Sequence, residues 1–222
     1  MTVLNHFKVL YRQMTYWVGR LGYEVVRAIS GVMLKLGFQL QVTGAEYLQS
    51  YSSYILAGNH TGFLDSLILV AACPTMLYFV MERSVYQWAI VGPLLRVFPN
   101  IVPIRQSSPR SGLTQATKTL RQDKPLVIFP EGKLTRDGQL NPFKPGVFRL
   151  QDATEKPVIP FTIKGGFEAW GWGQLLPTFC PIQVTFHSPF DVTEELAGAG
   201  YKKMSFKERA QQLELIVKSD IA

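Results

Sequence analysis

Residues 54–72, YILAGNHTGFLDSLILVAA, read as three structures in succession. Tyr54 to Gly58 is a short apolar run of the kind that fills a buried strand. Asn59 to Phe63 is a polar bend eased by Gly62, and Leu64 to Ala72 is an apolar helix. A strand that feeds a helix through a tight polar turn is the repeating unit of an α/β domain.

The same alternation extends outward on both sides. Further strands are expected at Leu77 to Val80, Ile101 to Ile104, Leu126 to Phe129, Val158 to Ile163 and Ile182 to Phe186. Helices are expected at Val85 to Arg96, Ser111 to Gln122, Gly146 to Ala153 and Ser205 to Lys218. The last opens on a capping box, Ser205 with Glu208 three residues on. Gly165 to Pro177, rich in glycine and tryptophan, reads as a long loop. With 222 residues, 47% apolar, the chain suits one continuous core. The expected fold is α/β, a single domain with a mostly β central sheet flanked by helices.

Residues 1–40 stand apart from the α/β domain of 41–222. They carry Lys8, Arg12, Arg20, Arg27 and Lys35 against Glu24 alone, a net of +4 within a chain of net +7. Arg20, Glu24, Arg27 and Lys35 fall within an arc of roughly 80° on a helix, the remainder being apolar. This pattern predicts an N-terminal amphipathic helix, or a helical hairpin broken at Gly19, Gly22, Gly31 or Gly37, lying on a membrane surface. Packing onto the domain's own core is the competing reading. Ser66 to Met81, the longest charge-free apolar stretch, is interrupted by Pro74 and too short to span hydrocarbon. The N-terminus lacks the apolar region of an export signal, which points to the cytoplasmic face. Dispersed cations without a recognition motif argue against nucleic acid. Cys73 and Cys180 have no metal or redox spacing and are expected as buried thiols.

Chemistry concentrates in two places. In NHTGFLD, residues 59–65, His60 and Asp65 are five apart, about 140° on a continuous helix, so they meet only across a bend. Across one, the carboxylate fixes the imidazole tautomer and frees the other nitrogen as a general base. In FPEGKLTRDGQL, residues 129–140, a strand runs into a turn where Lys133 and Arg136 flank the backbone of Gly132, an arrangement suited to an anion. GKLT lacks the upstream glycine and the Lys-Ser/Thr adjacency of a nucleotide phosphate loop. His6 and His187 have no motif partner and are expected to be structural or solvent-facing. Trp170 and Trp172 suit an acyl groove, a membrane interface or the core.

NHTGFLD, NIVPIRQ, FPEGKLTRDGQLNPFKPGVFRL and KPVIPFTIKG, in that order over roughly residues 50–190, resemble the successive blocks of the glycerolipid acyltransferases that include the lysophosphatidate acyltransferases. The resemblance implies His60 as general base, Asp65 as its orienting partner, Arg105 on the acceptor phosphate, Glu131 and Gly132 shaping the acceptor site, and Pro160 on the donor side. Lys133 and Arg136 join the substrate-binding set. It further implies membrane lipids as surroundings, a lysolipid acceptor, acyl carrier protein or acyl-CoA as donor, and no metal or cofactor. Gly62 stands where the family commonly has Ser, and Lys133-Leu134 where it usually has Thr-Arg. Leucine cannot grip phosphate as an arginine fork does, so another lysolipid headgroup is an alternative. A catalytically silent lipid-binding protein is a second. A covalent hydrolase ranks below both, because there is no G-x-S-x-G elbow.

Overall fold

A computed structural model describes residues 2–82, 100–104, 109–190 and 204–221. The expected helix at 85–96 and Arg105 lie outside these residues. The chain begins with one long helix, α1 (Thr2–Gly37), so the hairpin alternative does not occur. Its glycines cost helix stability individually, but Gly22 and Gly31 face open space and no proline interrupts the run. The helix ends where Leu40 N–H bonds back to the Leu34 carbonyl and Gln39 turns to φ 48°.

The α/β part then follows as β1 (Gln41–Thr43), α2 (Glu46–Gln49), β2 (Ile55–Gly58), α3 (Asp65–Ala72), β3 (Tyr78–Glu82) and β4 (Ile101–Ile104). It continues with α4 (Pro109–Leu120), β5 (Leu126–Ile128), α5 (Gly146–Thr154), β6 (Val158–Lys164), α6 (Gly166–Trp170), β7 (Gln183–Phe186) and α7 (Phe206–Ile221). The predicted capping box of α7 forms, with Ser205 N–H on Glu208 and Glu208 N–H on the Ser205 hydroxyl. Three short elements were not expected from sequence, the single-turn α2 among them. β1 is an exposed three-residue edge, and α6 lies inside the expected loop at 165–177.

Among the described residues the strands form one seven-stranded sheet in the order β1-β7-β6-β2-β5-β3-β4. Every pairing is parallel except β6 with β7. Parallel sheets need cover on both faces, and alternation along the strands supplies it. Ile55 and Ala57 of β2 join α4, α5 and α7 in one core. Leu56, between them, faces a second core with α1 and α3. Pro160 sits inside β6, where a proline would ordinarily break a ladder. It is tolerated because Phe161 pairs with Phe186 while Val158 bridges Phe190, which leaves one extra residue on the partner chain.

α1 has three sectors. Tyr23, Ser30 and Leu34 are buried, and the Tyr23 hydroxyl accepts Leu77 N–H at 3.0 Å. Arg20, Glu24, Arg27 and Lys35 form the adjacent charged sector, Glu24 and Arg27 as a 2.7 Å ion pair. Val18, Leu21, Val25, Ile29, Val32, Met33 and Leu36 are exposed and span an arc of roughly 120° at 100° per residue. Core packing and an outward apolar face therefore coexist on one helix.

Candidate active site

The site is built where the carboxyl ends of β2, β5 and β6 come together, the crevice position of open α/β sheets. β2 ends at Gly58, and Asn59 is fixed at once. Its amide donates to the Ile163 carbonyl and accepts Ile163 N–H, both at 2.8 Å. This double bond to β6 aims the chain so that His60 follows at the rim with 26% of its side chain exposed.

Asp65 starts α3 and is fully buried. Its Oδ2 lies 2.8 Å from His60 Nδ1 and accepts the backbone N–H groups of Thr61 at 2.6 Å and Gly62 at 3.0 Å. Its Oδ1 accepts the Thr61 hydroxyl at 2.9 Å. The bend required by the five-residue spacing is thus folded around the carboxylate itself. An acceptor at Nδ1 demands the Nδ1–H tautomer, which leaves Nε2 with its lone pair as the basic nitrogen. Nε2 receives no hydrogen bond among the described residues. The imidazole is stacked on Phe129 at 4.0 Å between ring centroids, and Phe129 is held edge-on by Phe161.

The second motif clasps the same residue. Glu131 Oε1 accepts His60 N–H at 2.6 Å, and Thr135 N–H donates to the His60 carbonyl at 3.1 Å. Glu131 Oε2 accepts both the backbone N–H and the side-chain amide of Asn141. Burial pushes the Glu131 carboxyl above the usual carboxylate range, its hydrogen bonds opposing part of that rise. Gly132 turns at φ +72° with the Lys144 ammonium packed where a Cβ would stand. Lys133 and Arg136 are exposed, the Arg136 guanidinium lying 5.3 Å over the Trp172 ring. Leu134 is half-buried between them.

The structure therefore brings His60, Asp65, Glu131 and Gly132 together with Lys133 and Arg136 on the adjoining loop, while Arg105 lies outside the described residues. Pro160 is buried in β6, its carbonyl accepting His187 N–H. Asn59, Thr61, Phe129, Thr135, Asn141 and Lys144 were not singled out from sequence. Asn59 and Thr61 adjoin His60, but nothing local says that one bonds β6 and the other Asp65. Gly62 has its own reason. A Cβ there would meet the carbonyl oxygens of Gly166 and Trp170, and one on Gly166 would meet the Thr61 hydroxyl, so α6 lies directly on the turn between His60 and Asp65.

The acyltransferase family model matches residues 39–164, the stretch that holds both motifs. The chain belongs to that family. It is 26% identical over 180 residues to a 1-acyl-sn-glycerol-3-phosphate acyltransferase of Limnanthes douglasii, covering 79% of this chain and 63% of the relative. It is 31% identical over 149 residues to the enzyme so named in Borreliella burgdorferi, covering 65% of this chain and 59% of that one. The chain thus spans less than two thirds of the length of these relatives. The crystal structure of the 1-acyl-sn-glycerophosphate acyltransferase PlsC of Thermotoga maritima has the same fold, with a TM-score of 0.76 at 20% identity, over 99% of this chain and 88% of that one.

Proposed function

We propose that the protein transfers a fatty acyl group from a thioester, on coenzyme A or acyl carrier protein, to the free hydroxyl of 1-acylglycerol-3-phosphate, giving phosphatidate. The observation that carries this reading is the His60 to Asp65 bond at 2.8 Å, which leaves Nε2 free to act on a side chain that is partly exposed. Nε2 takes the proton of the acceptor hydroxyl as that oxygen bonds the thioester carbonyl. Collapse of the tetrahedral adduct breaks the C–S bond, and the imidazolium returns the proton to the leaving thiolate. Base catalysis of this kind contributes about 10²–10⁴-fold, and positioning supplies much of the rest. The scheme requires no metal or cofactor beyond the acyl donor.

Lys133 and Arg136, with Arg105 from the preceding block, are the cations assigned to the acceptor phosphate, and Glu131 and Gly132 shape the loop that carries them. The similarity to the 1-acyl-sn-glycerol-3-phosphate acyltransferases of Limnanthes douglasii and Borreliella burgdorferi supports this acceptor. Leu134 in place of the family's arginine favours a second reading, a lysolipid with another headgroup. The outward apolar sector of α1 supports membrane association through residues 1–40, with the 41–222 domain on the cytoplasmic leaflet. No described helix is long and apolar enough to cross a membrane.

Purified protein incubated with labelled acyl donors and a panel of lysolipids, with products resolved by mass, tests the activity. Phosphatidate formed from lysophosphatidate is expected, and no acylated product from any lysolipid overturns the reading. For α1, Ile29→Asp and Leu36→Asp are better probes than deletion. Removing the helix would strip Tyr23, Leu34 and their neighbours from the core. Both changes are expected to weaken binding to anionic vesicles, and unchanged binding overturns the membrane role of α1.

A further inference from the structure

Residues 171–181, GWGQLLPTFCP, contain no charged side chain. Leu175 is 93% exposed, Leu176 77%, Phe179 74% and Trp172 47%. The exposure is built rather than loose. Gln174 Oε1 accepts Gly171 N–H at 2.9 Å, the Gln174 carbonyl accepts the Trp170 indole N–H at 3.2 Å, and Thr178 N–H donates to the Ala169 carbonyl at 2.7 Å. Adjacent leucines held outward in this way mark a surface that meets something apolar.

The two ends of the loop say what that is. At its start, Trp172 lies 6.5 Å from Phe63, the residue after Gly62 in the catalytic turn, and beneath the Arg136 guanidinium. At its end, Phe179 packs on Phe38 at 5.2 Å and against Gly37, where α1 terminates beside the exposed Leu36. The loop is therefore a continuous apolar bridge from the rim of the site to the outward face of α1. A tryptophan with an arginine over its ring suits the headgroup level of a bilayer. The net charge of +7 suits an anionic one.

We propose that the 171–181 loop is a second bilayer-inserting element, which seats the mouth of the active site against an anionic lipid surface independently of the exposed face of α1. Leu175, Leu176 and Phe179 enter the acyl region while Trp172 and Arg136 mark the headgroup level. Resting on the acyltransferase reading, the further consequence is that the acceptor passes from the leaflet to His60 past Phe63 and Trp172 without crossing water.

The test is the full chain carrying Leu175→Asp and Leu176→Asp, compared with the parent on vesicles of phosphatidylcholine containing phosphatidylglycerol. Partition onto vesicles is expected to fall by about tenfold or more, with the thermal unfolding midpoint unchanged. In the parent, amides 173–179 are expected to exchange more slowly with deuterium when vesicles are added, a readout that needs no variant to fold. Unchanged partition of a folded variant, or exchange at 173–179 indifferent to vesicles, overturns the proposal. So does a parent dimer that the variant splits while vesicle binding persists, since the patch would then serve a second copy. Lost partition in a protein that acylates no lysolipid supports the loop's role and rejects the proposed reaction instead.

Discussion

Both backbone polar groups of His60 are bonded to the second motif, the N–H to Glu131 Oε1 at 2.6 Å and the carbonyl to Thr135 N–H at 3.1 Å. The loop that carries Lys133 and Arg136 is thereby registered against the imidazole. Glu131 meets three donors with two oxygens, the others coming from Asn141. Glutamine in its place presents an NH₂ group to at least one of these donors. Glu131→Gln is expected to lower kcat more than about tenfold and stability by about 1–3 kcal/mol, because a buried donor loses its acceptor. Steady-state kinetics and thermal unfolding check both, and wild-type kcat in a folded protein would contradict the positioning role.

His60→Ala is expected to remove acyl transfer by about 10²–10⁴-fold while leaving the fold intact, since the ring is partly exposed and its backbone bonds persist. Asp65→Asn should differ. A neutral amide oxygen in the Oδ2 place accepts more weakly from His60, Thr61 and Gly62, and the NH₂ then faces the Thr61 hydroxyl in place of Oδ1, so activity and the turn both suffer. A lower unfolding midpoint for Asp65→Asn than for His60→Ala is the distinguishing measurement.

Gly62→Ser, a change toward the residue common in the family, is expected to harm this protein. The new Cβ would stand against the carbonyl oxygens of Gly166 and Trp170. Overpacking of this kind costs about 1–3 kcal/mol and moves α6 away from the turn between His60 and Asp65. Thermal unfolding with and without the substitution decides, and a neutral or stabilising result contradicts the close approach.

The cations predict a KM effect. Lys133→Ala, Arg136→Ala and Arg105→Ala are each expected to raise KM for lysophosphatidate, by about 1.5–3 kcal/mol where a charged hydrogen bond to phosphate is lost. KM for a neutral-headgroup lysolipid should move little. Leu134→Arg is expected to improve or preserve lysophosphatidate use. If it impairs the natural reaction and KM values for lysophosphatidate ignore the three alanine changes, the other-headgroup reading gains.

His187 predicts the acid limb of stability. Desolvation holds it below its ordinary value of 6.5, with Lys164 acting in the same direction and Asp220 against. Its Nε2 lies 2.8 Å from the Thr162 hydroxyl. A depressed folded-state pKa means this contribution is fully present above pH 6.5 and is lost as pH falls through the lower folded value. His187→Gln is expected to flatten the unfolding midpoint between pH 6.5 and the lower folded value. An unchanged slope in that window would falsify the assignment.

Much of this was legible in local pattern. The strands at Ile55–Gly58, Ile101–Ile104 and Val158–Lys164 announced themselves because each is a short apolar run, and the Ser205 cap because its partner is three residues away. The His60 and Asp65 geometry was legible for the same reason, since their spacing permits contact only across a bend. Gly37 illustrates the opposite. Glycines in α1 left a hairpin open, and packing of Tyr23, Leu34 and Phe38 into the core, which involves distant residues, keeps one helix instead.

The sequence by itself determined the class of fold, the two motifs and the family, because periodicity and short spacings act through neighbours in the chain. Only the tertiary structure decided that Glu131 and Thr135 hold His60 from both sides, that Asn59 bonds β6, and that Gly62 is required by α6. It also decided that α1 serves the core and presents an apolar face at once. Those contacts join residues roughly seventy to a hundred positions apart in the motif pairs, where parallel strands must be brought together through crossovers. A hydrogen bond formed across such a distance leaves no mark on the residues beside it in sequence.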